Sequence, residues 1–192
     1  MNIKLKTVAT IQMGFSFRGK IVPDLNGRTT VIQMKDLTEE NLLSSEDLVL
    51  INADNIKEQY QVKQYDLVFR SRGYTNTAAF IQYPVENALL AAPLFRIRVT
   101  NSKILPAYLC WLINQPTTQV KIQRIAQGTS VQMIEKHELE DLDISCPSLE
   151  TQKWILKLDY LSNLEQKLLE QLGERRGELI KGYMMQLATN SK

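Results

Sequence analysis

The sequence predicts an α+β fold: a mixed-sheet domain over residues 1–147, one long C-terminal helix over 148–187, and a disordered tail at 188–192. Three observations predict it. Short apolar or alternating segments bounded by turn residues recur between Ile3 and Val99. Two helical patterns follow between Leu105 and Ile125, the first with Pro106 in its first turn. After Pro147 no proline interrupts the chain. A chain of 192 residues suffices for one core of about 150 residues plus such a helix, and not for two cores.

Ile3 to Thr10 satisfies a short strand and a helical turn equally. Met13-Gly14-Phe15-Ser16-Phe17-Arg18-Gly19-Lys20 then sets two aromatics between glycines with bases beside them. Such a loop can present rings and cations to a nucleic acid, or its rings can simply pin it to the core. Asp24-Leu25-Asn26-Gly27 is turn chemistry, and Thr29 to Met34 reads as a strand. Asp36 to Asp47, acidic with scattered leucines, reads as a loop or short helix. Leu48 to Ile51 and Leu67 to Phe69 read as buried strands.

The second of these runs into Arg70-Ser71-Arg72-Gly73-Tyr74-Thr75-Asn76, the densest polar stretch before the helices. Arginine can fork onto guanine or phosphate and asparagine can pair with adenine. Thr77 to Tyr83 and Leu94 to Val99 are further strands. In the latter, Phe95, Ile97 and Val99 alternate with Arg96 and Arg98, which the pattern puts on a solvent face.

Of the two helices, the one from Thr117 to Ile125 places Val120, Ile122 and Ile125 inward, with Lys121 and Arg124 outward. Gly128, Thr129, Ser130 and Gln132 make a polar loop suited to phosphate contacts or to capping the next helical segment. Leu142 and Ile144 form a last short strand. Ser148 is placed to cap the long helix, with Glu150 in its first turn.

That helix carries an apolar face of Leu158, Leu161, Leu168, Leu172, Leu179 and Tyr183, widened by Leu164, Leu169, Ile180 and Leu187. Leu161, Leu172 and Tyr183 recur at steps of eleven rather than seven, which predicts a straighter coil than a heptad repeat. Balanced charges cover the remainder, so the rod suits a partner helix rather than a membrane. Gly173 and Gly177 suggest a bend or a close helix approach.

The net charge of +2 conceals segregation. Residues 1–28 hold five bases (Lys4, Lys6, Arg18, Lys20, Arg28) against Asp24, and residues 59–134 hold eight against Asp66 and Glu86. This permits a basic face of the kind that meets phosphates. No apolar run approaches the ~20 residues that span a bilayer, and MNIKLKTVATIQ lacks a signal core. Cys110, Cys146 and the single His137 have no ligands at metal spacing. These features predict a cytoplasmic chain without a zinc site.

Catalytic motifs are absent: no phosphate-binding glycine loop, no nucleophile elbow and one candidate base. Glu138, Glu140, Asp141 and Asp143 offer carboxylates that solvent or a metal can take. The expectation is no catalytic residue and no bound metal.

Gln64-Tyr65-Asp66-Leu67-Val68-Phe69-Arg70-Ser71-Arg72-Gly73, Ala92-Pro93-Leu94-Phe95-Arg96-Ile97, Ala126-Gln127-Gly128-Thr129 with Gln132 and Ile134, and Leu139 to Ile144 leading into Pro147-Ser148-Leu149-Glu150-Thr151-Gln152 resemble one target recognition domain and one spacer helix of a type I restriction-modification specificity subunit. Tyr65 and Ser148 stand where that pattern commonly has glycine and a second proline. Full-length members carry two recognition domains and two antiparallel helices, so the resemblance implies a half-size form. It would homodimerise through an intermolecular antiparallel coiled coil and read a bipartite, inverted-repeat site in double-stranded DNA.

Methylation and cleavage would belong to methyltransferase and restriction (translocase/nuclease) subunits. S-adenosylmethionine would bind the methyltransferase, with no cofactor on this chain. The expected DNA-contacting set is Arg18, Lys20, Arg70, Ser71, Arg72, Tyr74, Asn76, Lys121, Arg124, Thr129 and Ser130. Two other classes compete: a detached recognition domain of a fused methyltransferase-nuclease, or a small enzyme with a metal at Asp141 and Asp143; and a coiled-coil scaffold without DNA preference.

Overall fold

The computed structural model describes residues 2–38, 41–44, 48–53, 57–73, 75–126 and 133–190. They form two compact units, Met1–Gln152 and Lys153–Lys192. The class is α+β as expected: mixed sheets and a long C-terminal helix.

In the first unit the segment that satisfied both strand and turn is both. β1 (Asn2–Lys4) leads through a 3-10 turn into β2 (Ala9–Met13). β2 opens an antiparallel four-stranded sheet ordered β2-β8-β5-β6, with β5 at Leu67–Arg70, β6 at Ala78–Phe80 and β8 at Leu94–Val99. A second, mixed sheet is ordered β4-β3-β7. There β3 (Thr29–Ile32) pairs antiparallel with β4 (Val49–Ile51) and parallel with β7 (Ala88–Leu90).

Both faces of this second sheet are covered. Ile32, Ala88 and Leu90 pack with Val62, Val68, Ala79 and Ile81 on one face, and Val31, Leu89 and Ile51 pack with Phe15, Phe17 and Ile21 on the other. Alternation along each strand therefore divides its residues between two apolar clusters. β7 escapes a sequence reading because Ala88-Leu89-Leu90 is uniformly apolar and its partner is distant in the chain.

α1 (Pro106–Asn114) and α2 (Pro116–Ile125) each begin on a proline. In α2 Ile122 is fully buried, but Val120 is 46 % exposed, a correction to its expected inward position. α3 (Lys136–Glu140) is capped reciprocally by Glu135 and Glu138. β9 (Asp143–Ser145) then pairs with β1. That pairing brings the acids considered for a metal against the N-terminal lysines: Lys4 meets Asp143 at 3.0 Å and Lys6 meets Asp141 at 2.6 Å. The Asp141 bond and charge raise the Lys6 ammonium, and Lys6 in turn holds the Asp141 carboxyl below its ordinary value.

A second correction concerns β8. Arg96 and Arg98 do not face solvent. Arg96 is 8 % exposed and donates to the Gln59 and Gln61 carbonyls, while Arg98 forks onto buried Asp66 at 2.7 Å. The 58–66 segment lies over that face of the sheet, and guanidinium forks satisfy its carbonyls. Burial lowers the Arg96 pKa and the Asp66 bond raises that of Arg98.

α4 spans Leu149–Thr189, 41 residues and about 60 Å at the helical rise. It runs past Leu187 into the stretch expected as a tail. Ser148 caps it, its Oγ accepting the Thr151 amide at 3.2 Å. It continues unbroken through Gly173 and Gly177, where a Cβ would meet nothing within 4 Å. Among the described residues no helix is long and apolar enough to cross a membrane.

Candidate nucleic-acid interface

The polar stretch after β5 divides into inward and outward residues. Arg70 Nη2 donates to the Leu37 and Thr38 carbonyls at 2.6 and 2.7 Å, and Nη1 to Thr77 Oγ1 at 3.0 Å and Asn41 Oδ1 at 3.3 Å. Ser71 is fully buried and its hydroxyl donates to the Pro93 carbonyl. Asn76 is buried and its amide donates to the Arg70 carbonyl at 2.9 Å. These three belong to the expected DNA-contacting set; in this structure their donors hold the end of β5 to its neighbours. Sequence proximity could not reveal this, because each partner but Arg70 and Thr77 lies a loop or a sheet away.

Arg72 is exposed. It sits where β5 continues into a bridge with Met133, next to the Ile134 amide bonded to the Ser71 carbonyl at 2.8 Å. Gly73 follows at φ +129°, a conformation that suits glycine. Gln119 of α2 donates to the Asn76 carbonyl at 3.1 Å, so α2 is tied to the same strand end. Lys121 and Arg124 lie on its exposed face, Lys121 donating to the Asp143 carbonyl at 3.2 Å. Arg72 and α2 thus share one neighbourhood. Tyr74, Thr129 and Ser130 lie outside the described residues.

Arg18 and Lys20 belong to a second location, beside the β4-β3-β7 sheet. The rings near them pin the loop: Phe15 meets Phe17 edge-on at 4.9 Å and Tyr60 at 5.4 Å. Gly14 makes this possible, since a Cβ there would stand 2.7 Å from the Ala91 carbonyl carbon. Both cations are exposed without a partner among the described residues. Arg28 was counted among the N-terminal bases but left out of the contacting set. It too is exposed, at the rim of a recess lined by Thr29, Gln61, Asn87 and Ala88. Its sequence signal is its place directly after the Asn26-Gly27 turn.

Tyr65 has φ +72°, which explains why glycine suits that position; its ring stacks on Phe80 at 6.1 Å. In the second unit Leu158, Leu161, Leu168, Leu172, Leu179 and Tyr183 are all exposed, so the stripe is bare in this chain.

A mixed-sheet domain with exposed cations on its loops thus precedes a long helix whose apolar stripe is exposed. Its fold is similar to the HsdS subunit from Thermoanaerobacter tengcongensis, at TM-score 0.59 and 17% identity, covering 87% of this chain and 37% of that one. It is also similar to a chain in a structure concerned with complex assembly and conformational transition of the type I R-M system, at TM-score 0.62 and 16% identity, covering 87% and 38%. This chain therefore spans under two-fifths of the length of those it matches. No curated protein matches it. The model of the type I restriction modification DNA specificity domain matches residues 1–174, and the chain belongs to that family.

Proposed function

We propose that this chain is a half-size, non-catalytic specificity subunit that pairs with a second copy through α4. The pair reads a bipartite inverted repeat in double-stranded DNA and recruits methyltransferase and restriction subunits in the cytoplasm. S-adenosylmethionine is held by the methyltransferase, and no cofactor by this chain. The observation that carries the reading is the set of exposed cations, Arg18, Lys20, Arg72 and Arg124, that have no partner among the described residues of a DNA specificity domain. Lys121 joins them on α2. Tyr74, Thr129 and Ser130 complete the proposed contacts, whereas Arg70, Ser71 and Asn76 position the strand end rather than touch DNA. A symmetric dimer presents each contact set twice, related by its two-fold axis, and so favours a symmetric site with a fixed gap.

The test is enrichment of random duplex DNA by the protein co-purified with its methyltransferase subunit, followed by sequencing. Two inverted half-sites at one spacing are expected. A single half-site would retain DNA reading and remove the symmetric dimer; no enrichment would leave a coiled-coil scaffold.

A further inference from the structure

We infer that the bare face of α4 is self-complementary, covered antiparallel by a second copy of this chain with Glu165 of each rod on Arg176 of the other. The inference rests on the reading of α4 as a dimerisation rod and specifies its register.

The face is large and uncovered. Leu158, Leu172 and Tyr183 are 64 %, 64 % and 63 % exposed, and Leu161, Leu164, Leu168, Leu169 and Leu172 line a shallow depression together with Glu165. At the eleven-residue repeat, Trp154, Glu165, Arg176 and Leu187 stand in one rank along the helix. Leu161, Leu172 and Tyr183 form the rank on one side of it, and Leu158, Leu169 and Ile180 the rank on the other. A carboxylate and a guanidinium therefore occupy the middle of the apolar stripe. Both are exposed, and neither has a partner among the described residues. On a solvated helix this costs nothing. Under an apolar partner each would be a desolvated, unpaired charge, so whatever covers the stripe must set an opposite charge against each. A lipid surface does not.

A second copy meets that requirement in one arrangement. Parallel and in register, it would put Glu165 on Glu165 and Arg176 on Arg176. Antiparallel but slid by one repeat, it would again oppose like charges. With the two-fold axis between Glu170 and Gln171, Glu165 meets Arg176 twice and the other ranks close on one another. Trp154 meets Leu187, Leu158 meets Tyr183, Leu161 meets Ile180, and Leu169 meets Leu172. Gly173, beside this axis, adds no side chain to hold the rods apart. The interface is isologous, as a two-fold dimer demands.

The experiment is sedimentation velocity over a dilution series of the full chain, with circular dichroism to verify helix content. Its variants are E165R, R176E and the double swap E165R/R176E. Each single change opposes like charges twice and should weaken the dimer by about tenfold or more; the double swap restores both pairs and should return to within about threefold of the starting chain. A double swap as weak as either single, or singles as tight as the starting chain, overturns the register while the parent dimer keeps the rod's role. A monomeric parent chain overturns both.

Discussion

Asp66 is buried, and its carboxylate accepts both ends of the Arg98 fork at 2.7 Å as well as the Lys63 amide at 2.7 Å. Removing it leaves a guanidinium under the 58–66 segment without its counter-charge. Asp66→Ala should destabilise the domain by about 3 kcal/mol, read as a lowered urea midpoint at unchanged slope. Cys110 behaves differently because it has no charge partner. Burial pushes its thiol up to about 12, and its Sγ donates to the Ala78 carbonyl at 3.3 Å. At pH 8 Cys110 of the native chain should therefore resist a thiol reagent and react only on unfolding. The folded value lies above the ordinary 9.0, so an unfolded chain loses the proton first as pH rises. Stability linked to this group is complete below about pH 9 and declines above it. Cys110→Ala should flatten that alkaline decline relative to the parent chain.

At the scale of elements, the opening turn of α4 packs within the first unit. Gln152 is fully buried; its Oε1 accepts the Leu105 amide at 2.8 Å, and its Nε2 donates to the Lys103 and Pro147 carbonyls at 2.8 and 2.9 Å. It thereby joins the start of α1 to the start of α4. Gln152→Ala orphans those backbone groups and should cost about 2 kcal/mol, whereas Ser148→Ala, which removes only the cap, should cost about 1 kcal/mol. Thermal unfolding of the two variants beside the parent checks the order. A long polar side chain at a helix start reads as surface, so hydrophobic periodicity gave Gln152 no inward place.

For the molecule as a whole, charge segregation along the sequence is only partly charge segregation in space. Lys4 and Lys6 are neutralised by Asp143 and Asp141, which leaves Arg18, Lys20 and Arg28 as the unpaired N-terminal bases among the described residues. Arg72 and Arg124 are the corresponding exposed arginines of the later basic stretch. Replacing Arg72 and Arg124 with alanine should weaken DNA binding. It should also reduce the slope of log affinity against log salt by about one per lost phosphate contact, measured by anisotropy at several salt concentrations. Arg70→Ala should act instead through stability, because its donors serve Leu37, Thr38, Asn41 and Thr77. Its loss of binding should track the unfolded fraction and leave the salt slope unchanged.

What the sequence by itself determined is what short-range periodicity encodes. α1, α2 and α4 follow from the apolar repeat together with their proline and serine boundaries, β3 and β5 from short strand-forming runs between turn residues, and β8 from alternation. The eleven-residue spacing of the α4 stripe was equally legible, since a helix face needs no distant partner to be defined. Tertiary structure alone decided which polar residues point inward. Arg70, Ser71, Asn76, Arg96 and Arg98 all carry side chains typical of a binding surface, yet each is drawn to a carbonyl or carboxylate that topology delivers. β7 was decided the same way, by a parallel partner far away in the chain. A buried hydrogen-bond donor must find an acceptor, and the acceptor's place is set by how strands and loops stack rather than by which residues are neighbours in sequence.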